Sequence, residues 1–505
     1  MATLTFMGAV TGVTGSMHLL ETQGSRVLLD CGLYQGGREE EAHNEDPFPF
    51  AVKSIDAVVL SHAHLDHSGR LPLLVKDGYR GPIYMTSATL DLIEVLLKDA
   101  ASLQARDVEW ENKRRRRAGK VELLPLYTLD DVEDVLSLCQ GLEYGARIAV
   151  TDEVDLTLRD AGHILGSSIV ELFTNESGRQ RKLVFSGDLG NSQAALLRDP
   201  SVINEANVVL MESTYGDREH RSMQETLDEF ENVITTASQN GGNILIPSFA
   251  VGRTQEIIFR LGELYQKGKL PQQLVCLDSP MAIAVTEIYH RYQNVYNQED
   301  KQAIEGHSQT AEPSQKSLHS FLPTLRYTVS TEESMAVNRI ASGAIIIAGS
   351  GMCNGGRIRH HLKHNLWRSQ SHVVFVGYQA NGTPGRILID GATHIKMAGE
   401  DISVKAHIHT LGGFSAHASQ GQLIDWFSNF SNPKPRLYLV HGEDTAKEAL
   451  KKKKHLLLEK PVAITSEEIE ILQRIALKDN LSVCVDFEYR VVPHFLQAKE
   501  IIDQN

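Results

Sequence analysis

The stretch Ser61-His62-Ala63-His64-Leu65-Asp66-His67-Ser68-Gly69 limits what this chain can be more than any other. Residues 54–60 before it are a short apolar, β-branched run that reads as a buried strand, and residues 69–75 after it read as the opening of a helix. Imidazoles and a carboxylate crowded onto a strand-to-helix turn have no packing rationale. His62 and His64 alternate along an extended segment, so both rings can face one ion. Asp66 and His67 come after the turn and can address a second. Nitrogen and carboxylate oxygen without thiolate suit a hydrolytic zinc site better than a structural one. The plain alternative is a His-rich surface turn, and the strand-turn-helix context argues against it.

The remaining chain must then supply more ligands and an acid. His163 follows the strand-like residues 154–158, Asp188 closes the apolar run 183–187, Glu212 ends residues 207–212 and His441 ends residues 436–440. Polar, metal-competent residues at the ends of apolar strands repeat the geometry of the first cluster, and in α/β folds that edge is where sites gather. His417 closes the loop Leu411-Gly-Gly-Phe-Ser-Ala-His417. Asp30, beside Cys31-Gly32, reads either as a cap or as a carboxylate that orients a histidine ligand from behind.

From residue 213 the pattern changes to regular alternation of strands and helices, with a polar stretch at 296–320 that reads as a loop. The turn Gly349-Ser-Gly351-Met-Cys-Asn-Gly355-Gly356-Arg357 can cradle a phosphate on backbone N–H groups. Its alternative is a tight turn that needs positive φ. Residues 87–145 look helical, and the Arg114–Arg117 run within them reads as a solvated helix face rather than an RNA site, because Asp and Glu flank it. These signals divide the chain into a first domain at 1–212, an inserted α/β domain at 213–390, and a resumption of the first domain at 391–505, whose C-terminal extension has no assigned role.

The 505 residues suggest about three domains. Hydrophobic content of 42% and charged content of 23% are those of a soluble globular protein. No apolar run reaches the roughly 20 residues that span a bilayer, and the first residues lack the features of a secretion signal. Cys31, Cys139, Cys276, Cys353 and Cys484 are odd in number and scattered, which points to reduced thiols and a cytoplasmic location. The net charge of −14 repels phosphates at long range, so a nucleic-acid enzyme of this composition needs metal ions or a local basic groove.

His-Ala-His-Leu-Asp-His at 62–67, Gly-His at 162–163, Ser-Gly-Asp at 186–188 and Val-His-Gly-Glu at 440–443 together resemble the metallo-β-lactamase fold hydrolases. Met-Glu-Ser-Thr at 211–214, Phe-Ser-Ala-His at 414–417 and the intervening domain resemble their β-CASP branch of nucleases, which includes ribonuclease J. The resemblance implies an αββα sandwich carrying an inserted parallel α/β domain, and two zinc ions per chain. His62, His64 and His163 would hold one zinc and Asp66, His67 and His441 the other, with Asp188 bridging them and Asp30 supporting the site. Glu212 and His417 would be the acid pair, with Ser415 near the bound phosphate. The implied reaction is hydrolysis of single-stranded RNA by a hydroxide held between the zinc ions, leaving 5′-phosphate and 3′-hydroxyl ends; endonuclease and 5′–3′ exonuclease modes both stay open. Members that act on DNA in repair carry an apolar residue at the position of His441, which moves the expected substrate towards RNA.

Arg253, Arg357 and Arg386 stand where Gly-rich turns let a backbone approach and are expected phosphate contacts; the alternative is that they pair with the surplus carboxylates. Two rival functions remain. A hydrolase of a small thioester or lactam is opposed by the inserted domain and the Glu212/His417 pair. A catalytically inactive RNA-processing subunit is opposed by the complete ligand set. The oligomeric state, a homodimer included, stays open.

Overall fold

Residues 2–176, 178–272, 274–306, 317–397, 399–451, 456–458 and 483–485 are described by the computed structural model. The first six-stranded sheet follows chain order: β1 (Thr3–Gly8), β2 (Met17–Glu21), β3 (Arg26–Leu29), β4 (Ala57–Val59), β5 (Ile83–Thr86) and β6 (Cys139–Leu142). A second begins with β7 (Arg147–Ala149), β8 (Val154–Asp160), β9 (Ser168–Glu176), β10 (Arg179–Phe185) and β11 (Val208–Glu212). The two sheets stack because their strands are apolar on both faces. Along β3, Val27 and Leu29 enter a core shared with Leu156, Leu172 and Phe185 of the second sheet. Leu28, pointing the other way, packs with Leu74, Leu92 and Leu97 from the covering helices Leu71–Lys76 and Ser87–Arg117. Val184, Val209 and Met211 turn outward onto Leu423, Trp426 and Phe427 of the helix Gln420–Ser428. Helix, sheet, sheet and helix make the expected αββα sandwich.

The inserted domain leaves after β11. Its sheet holds β12 (Ile244–Pro247), β13 (Leu274–Leu277), β14 (Leu325–Tyr327), β15 (Ala344–Ala348) and β16 (His372–Phe375). A hairpin of β17 (His394–Met397) and β18 (Glu400–Ser403) follows, and then β19 (His407–Thr410), which pairs with β16. The order is β14-β13-β15-β12-β16-β19, parallel throughout. The chain then returns, and β20 (Arg436–Val440) lies parallel to β11, with Glu212 opposite Val440.

Three expectations need correction. The insert does not end at residue 390: the run 402–408 is two strands, and β19 completes the insert's own sheet, so the first domain resumes beyond Thr410. The polar stretch 296–320 contains the helix Gln298–Gly306, and the helical region 87–145 ends in β6. Most of the C-terminal extension lies outside the described residues. Among the described residues no helix is long and apolar enough to cross a membrane. Cys31, Cys139, Cys276 and Cys353 are free.

Candidate metal centre and acid pair

The metal-competent side chains gather at strand ends, Glu212 as the last residue of β11 and the others beyond a strand where the backbone turns. The turn after β4 carries His62 and His64 in extended backbone, and a one-turn helix, Leu65–Ser68, brings round Asp66 and His67. His163 follows β8, Asp188 follows β10, and His441 follows β20. His441 and Asp30 adopt positive φ, 49° and 57°, which ordinary side chains avoid. Such strain gathers at sites where a side chain must be aimed rather than packed.

The atoms converge into two groups that share one carboxylate. His62 Nε2 and His163 Nε2 lie 3.1 and 3.2 Å from His64 Nδ1, and 3.5 and 3.6 Å from Asp188 Oδ2. On the other side, His67 Nε2 is 3.1 Å from His441 Nε2, and Asp66 Oδ2 is 3.5 Å from His441 Nε2. Asp188 turns its second oxygen, Oδ1, to this group, 3.3 Å from His67 Nε2. Donors around one tetrahedral zinc stand about 3.3 Å apart, given Zn–N bonds of about 2.0–2.1 Å. Both groups therefore fit a metal ion. Asp188 Oδ1 sharpens the test: it is buried, accepts no hydrogen bond, and is flanked by imidazoles. Glu212 also comes within reach of Asp188 and His441.

The far side of each ring is held in place. Asp30, fully buried, accepts 2.6 Å from His67 Nδ1, and is itself gripped by the Ser61 N–H at 2.8 Å and the Ser16 hydroxyl at 3.0 Å. The His163 Nδ1–H donates to the Ala416 carbonyl at 3.1 Å. Ser61 Oγ is 3.1 Å from His62 Nδ1, and Thr214 Oγ1 is 3.1 Å from His441 Nδ1. Such outer partners fix which nitrogen faces the ion. Sequence reasoning missed Ser16, Ser61 and the carbonyl of Ala416. It also missed His18, which is buried against Phe6 and Phe185 with neither ring nitrogen bonded. Burial, with the nearby His67 and His441, holds its pKa down at about 3. Thr214, Ala416 and Ser61 lie inside motifs quoted above, whereas Ser16 and His18 carried no signal.

Glu212 and His417 meet as expected. His417 Nδ1 lies 3.2 and 3.3 Å from the two Glu212 oxygens, and Glu212 also accepts the Leu189 N–H at 2.6 Å. Burial opposes charge on His417, but Glu212 and then Asp188 outweigh it and push the pKa up to about 9. The His417 ring lies 4.5 Å from that of His163, between centroids. Ser415 receives the His417 N–H at 3.3 Å, so it belongs to the same loop.

The arginines fare differently. Arg253 is buried and ion-paired with Glu256, one helical turn on. Arg357 reaches Asp278 at 2.7 Å and the carbonyls of Thr328 and Val329 at 2.8 and 2.9 Å. Both guanidinium groups are paired within the protein, as in the alternative reading of these arginines. Arg386 is exposed but forks onto Asp390 at 2.9 and 3.1 Å. In the Gly-rich turn, Gly356 has φ +70° and a Cβ there would meet the Gly349 carbonyl at 2.1 Å, so this glycine serves the tight turn. Gly351 backs the ring of Phe249, and only Gly355 faces open space. The Arg114–Arg117 run ends a long helix as a solvated face, with Arg114 paired to Glu111 at 3.0 Å.

A four-layer sandwich with a histidine–aspartate cluster at one edge defines a metal-dependent hydrolase. Family models match along the chain: a metallo-beta-lactamase superfamily domain at 19–214, a Beta-Casp domain at 254–388 and a Zn-dependent metallo-hydrolase RNA specificity domain at 401–462. The chain belongs to the β-CASP family of metallo-β-lactamase hydrolases. Ribonuclease TTHA0252 of Thermus thermophilus is 41% identical to it over 92% of this chain and 96% of its own length. Transcription termination factor FttA of Cenarchaeum symbiosum is 32% identical over 88% of this chain and 67% of its own length. The same factor from Methanocaldococcus jannaschii is 31% identical with the same coverage.

Proposed function

We infer that the protein is a zinc-dependent ribonuclease that hydrolyses phosphodiester bonds of single-stranded RNA and leaves 5′-phosphate and 3′-hydroxyl ends. The similarity to Ribonuclease TTHA0252 supports the substrate class. The observation that carries the chemistry is the Glu212–His417 pair beside a carboxylate, Asp188, whose two oxygens face two donor groups. In this reading His62, His64, His163 and Asp188 would hold one zinc ion, and Asp66, His67, His441 and Asp188 a second. When bound, such ions activate water and neutralise charge building on phosphoryl oxygens.

The protein's own residues do the rest. Asp30 keeps His67 turned inward, and Thr214 does the same for His441. His417 holds a proton at neutral pH, because Glu212 stabilises its charged form. Its Nδ1 faces Glu212, which leaves Nε2 to hand that proton to the departing ribose oxygen. Ser415 would sit beside the phosphate, and Arg386 keeps a more exposed side chain than Arg253 or Arg357. The enzyme would work in the cytoplasm, in keeping with its free cysteines.

Purified protein should contain two zinc ions and cleave 5′-labelled and internally labelled single-stranded RNA until EDTA is added. The product ladder separates internal cutting from 5′–3′ digestion, and light scattering of the same sample reads whether it is a homodimer. Thioester turnover without RNA cleavage would end this reading.

A further inference from the structure

The insert's sheet is parallel, so the carboxyl ends of its strands share one edge, where open α/β sheets bind ligands. From that edge β12 runs into Phe249, β15 into Gly351, β16 into Gly377-Tyr378, and β19 into the loop that ends at His417. Two large rings there are left in water: Phe249 is 41% exposed and Tyr378 is 56% exposed. The seat under Phe249 is built. A Cβ on Gly351 would come within 2.7 Å of its ring and one on Gly377 within 3.3 Å, so two bare backbones carry it. Gln379 clips the loops together, its Nε2 donating to the carbonyls of Gly351, Gly377 and Tyr378 at 2.9, 3.1 and 3.0 Å.

The segments that carry both rings run towards the candidate site. Gly252, three residues after Phe249, lies against Ile164, the neighbour of His163. Tyr215 stands 6.0 Å from His417 between ring centroids. Burial raises the pKa of the Tyr215 hydroxyl, and Tyr378 is close enough to add to that rise.

We propose that Phe249 and Tyr378 form a stacking platform for the bases of single-stranded RNA beside the scissile phosphate. The proposal rests on the ribonuclease reading and adds to it the feature that selects unpaired strands. Every base offers a π-face, so stacking tolerates any sequence, and it strengthens binding about 5- to 150-fold per base. A duplex hides those faces and gains nothing from the platform. It also answers the problem set by the net charge of −14, since stacking needs no basic groove.

The test uses the full-length, zinc-loaded protein and a short single-stranded RNA whose cleaved bond has been mapped. Substrates carrying one abasic ribose at each flanking position are compared across wild type, Phe249→Ala, Phe249→Trp, Tyr378→Ala and Tyr378→Phe. The alanine variants should raise KM about 5- to 150-fold and leave kcat within a few-fold, while Phe249→Trp and Tyr378→Phe stay near wild type. At one flanking position, removing the base should cost wild type what the alanine variant has already lost, and cost the variant nothing more. Losses that multiply at every position, or a Tyr378→Phe variant as weak as Tyr378→Ala, would overturn the platform alone. A wild-type protein that cleaves none of these RNAs removes the ribonuclease reading as well.

Discussion

Asp188 in the body and Asp278 in the insert follow the same kind of sequence, an apolar strand and then an aspartate, and the protein treats them in opposite ways. Both are buried, at 2% and 0% exposure. Asp278 is surrounded by donors: Ser334 Oγ, Thr328 Oγ1 and His361 Nε2, each at 2.6 Å, and Arg357 at 2.7 Å. Burial resists its charge, but those bonds win and hold its pKa well below the usual carboxylate range. Asp188 has no hydrogen bond to Oδ1 and a ring of imidazoles 3.3–3.6 Å away. An uncompensated buried carboxylate costs several kcal/mol. One aspartate completes a fold; the other is completed by a cation.

The largest expected effect is at Asp188. Asp188→Ala should lose bound metal and about 10³–10⁴-fold in cleavage rate, while the chelated protein melts no lower than chelated wild type. Full metal content in that variant would erase the contrast. His417→Ala should keep its metal and lose about 10²–10⁴-fold in rate; elemental analysis showing missing zinc would make His417 a ligand instead. Asp278→Ala should do the reverse of Asp188→Ala, costing about 3–5 kcal/mol in denaturant titrations with unchanged activity per folded molecule. A smaller loss is expected for Asp30→Asn, about 10- to 100-fold in metal affinity or rate, read by chelator competition.

The mildest test is pH. Because folding depresses the Asp278 pKa, its contribution is complete above the unfolded value of about 3.9 and fades as pH falls below it. Wild type should therefore lose melting temperature more steeply than Asp278→Asn between about pH 4 and 2. Parallel curves would show that Asp278 does not contribute in this way.

The same contrast marks what the sequence could reveal. His62, His163, Asp188, Glu212 and His441 were legible because each stands where an apolar run stops, and strand ends are local facts. The fate of Arg357 was not, because the carboxylate that claims it is 79 residues away, just past the end of β13. Glu256 sits near Arg253 in the chain, but only the helix Arg253–Gln266 turns the two side chains together. The end of the insert was misplaced for a similar reason. Nothing within residues 407–410 says that they pair with β16 rather than with the body, since strand partnership is decided by distant residues.

The crossing between the two bodies has a mechanical side. Glu212 ends the last body strand before the insert and His417 stands on the returning loop, whose Ala418 N–H is pinned to the Leu189 carbonyl at 2.8 Å. The pair that manages the proton thus doubles as a clasp, joining the last strand before the insert to the loop after it. Because the Ala416 carbonyl on that loop also holds His163, proton delivery and the ion cradle are tied to the same crossing.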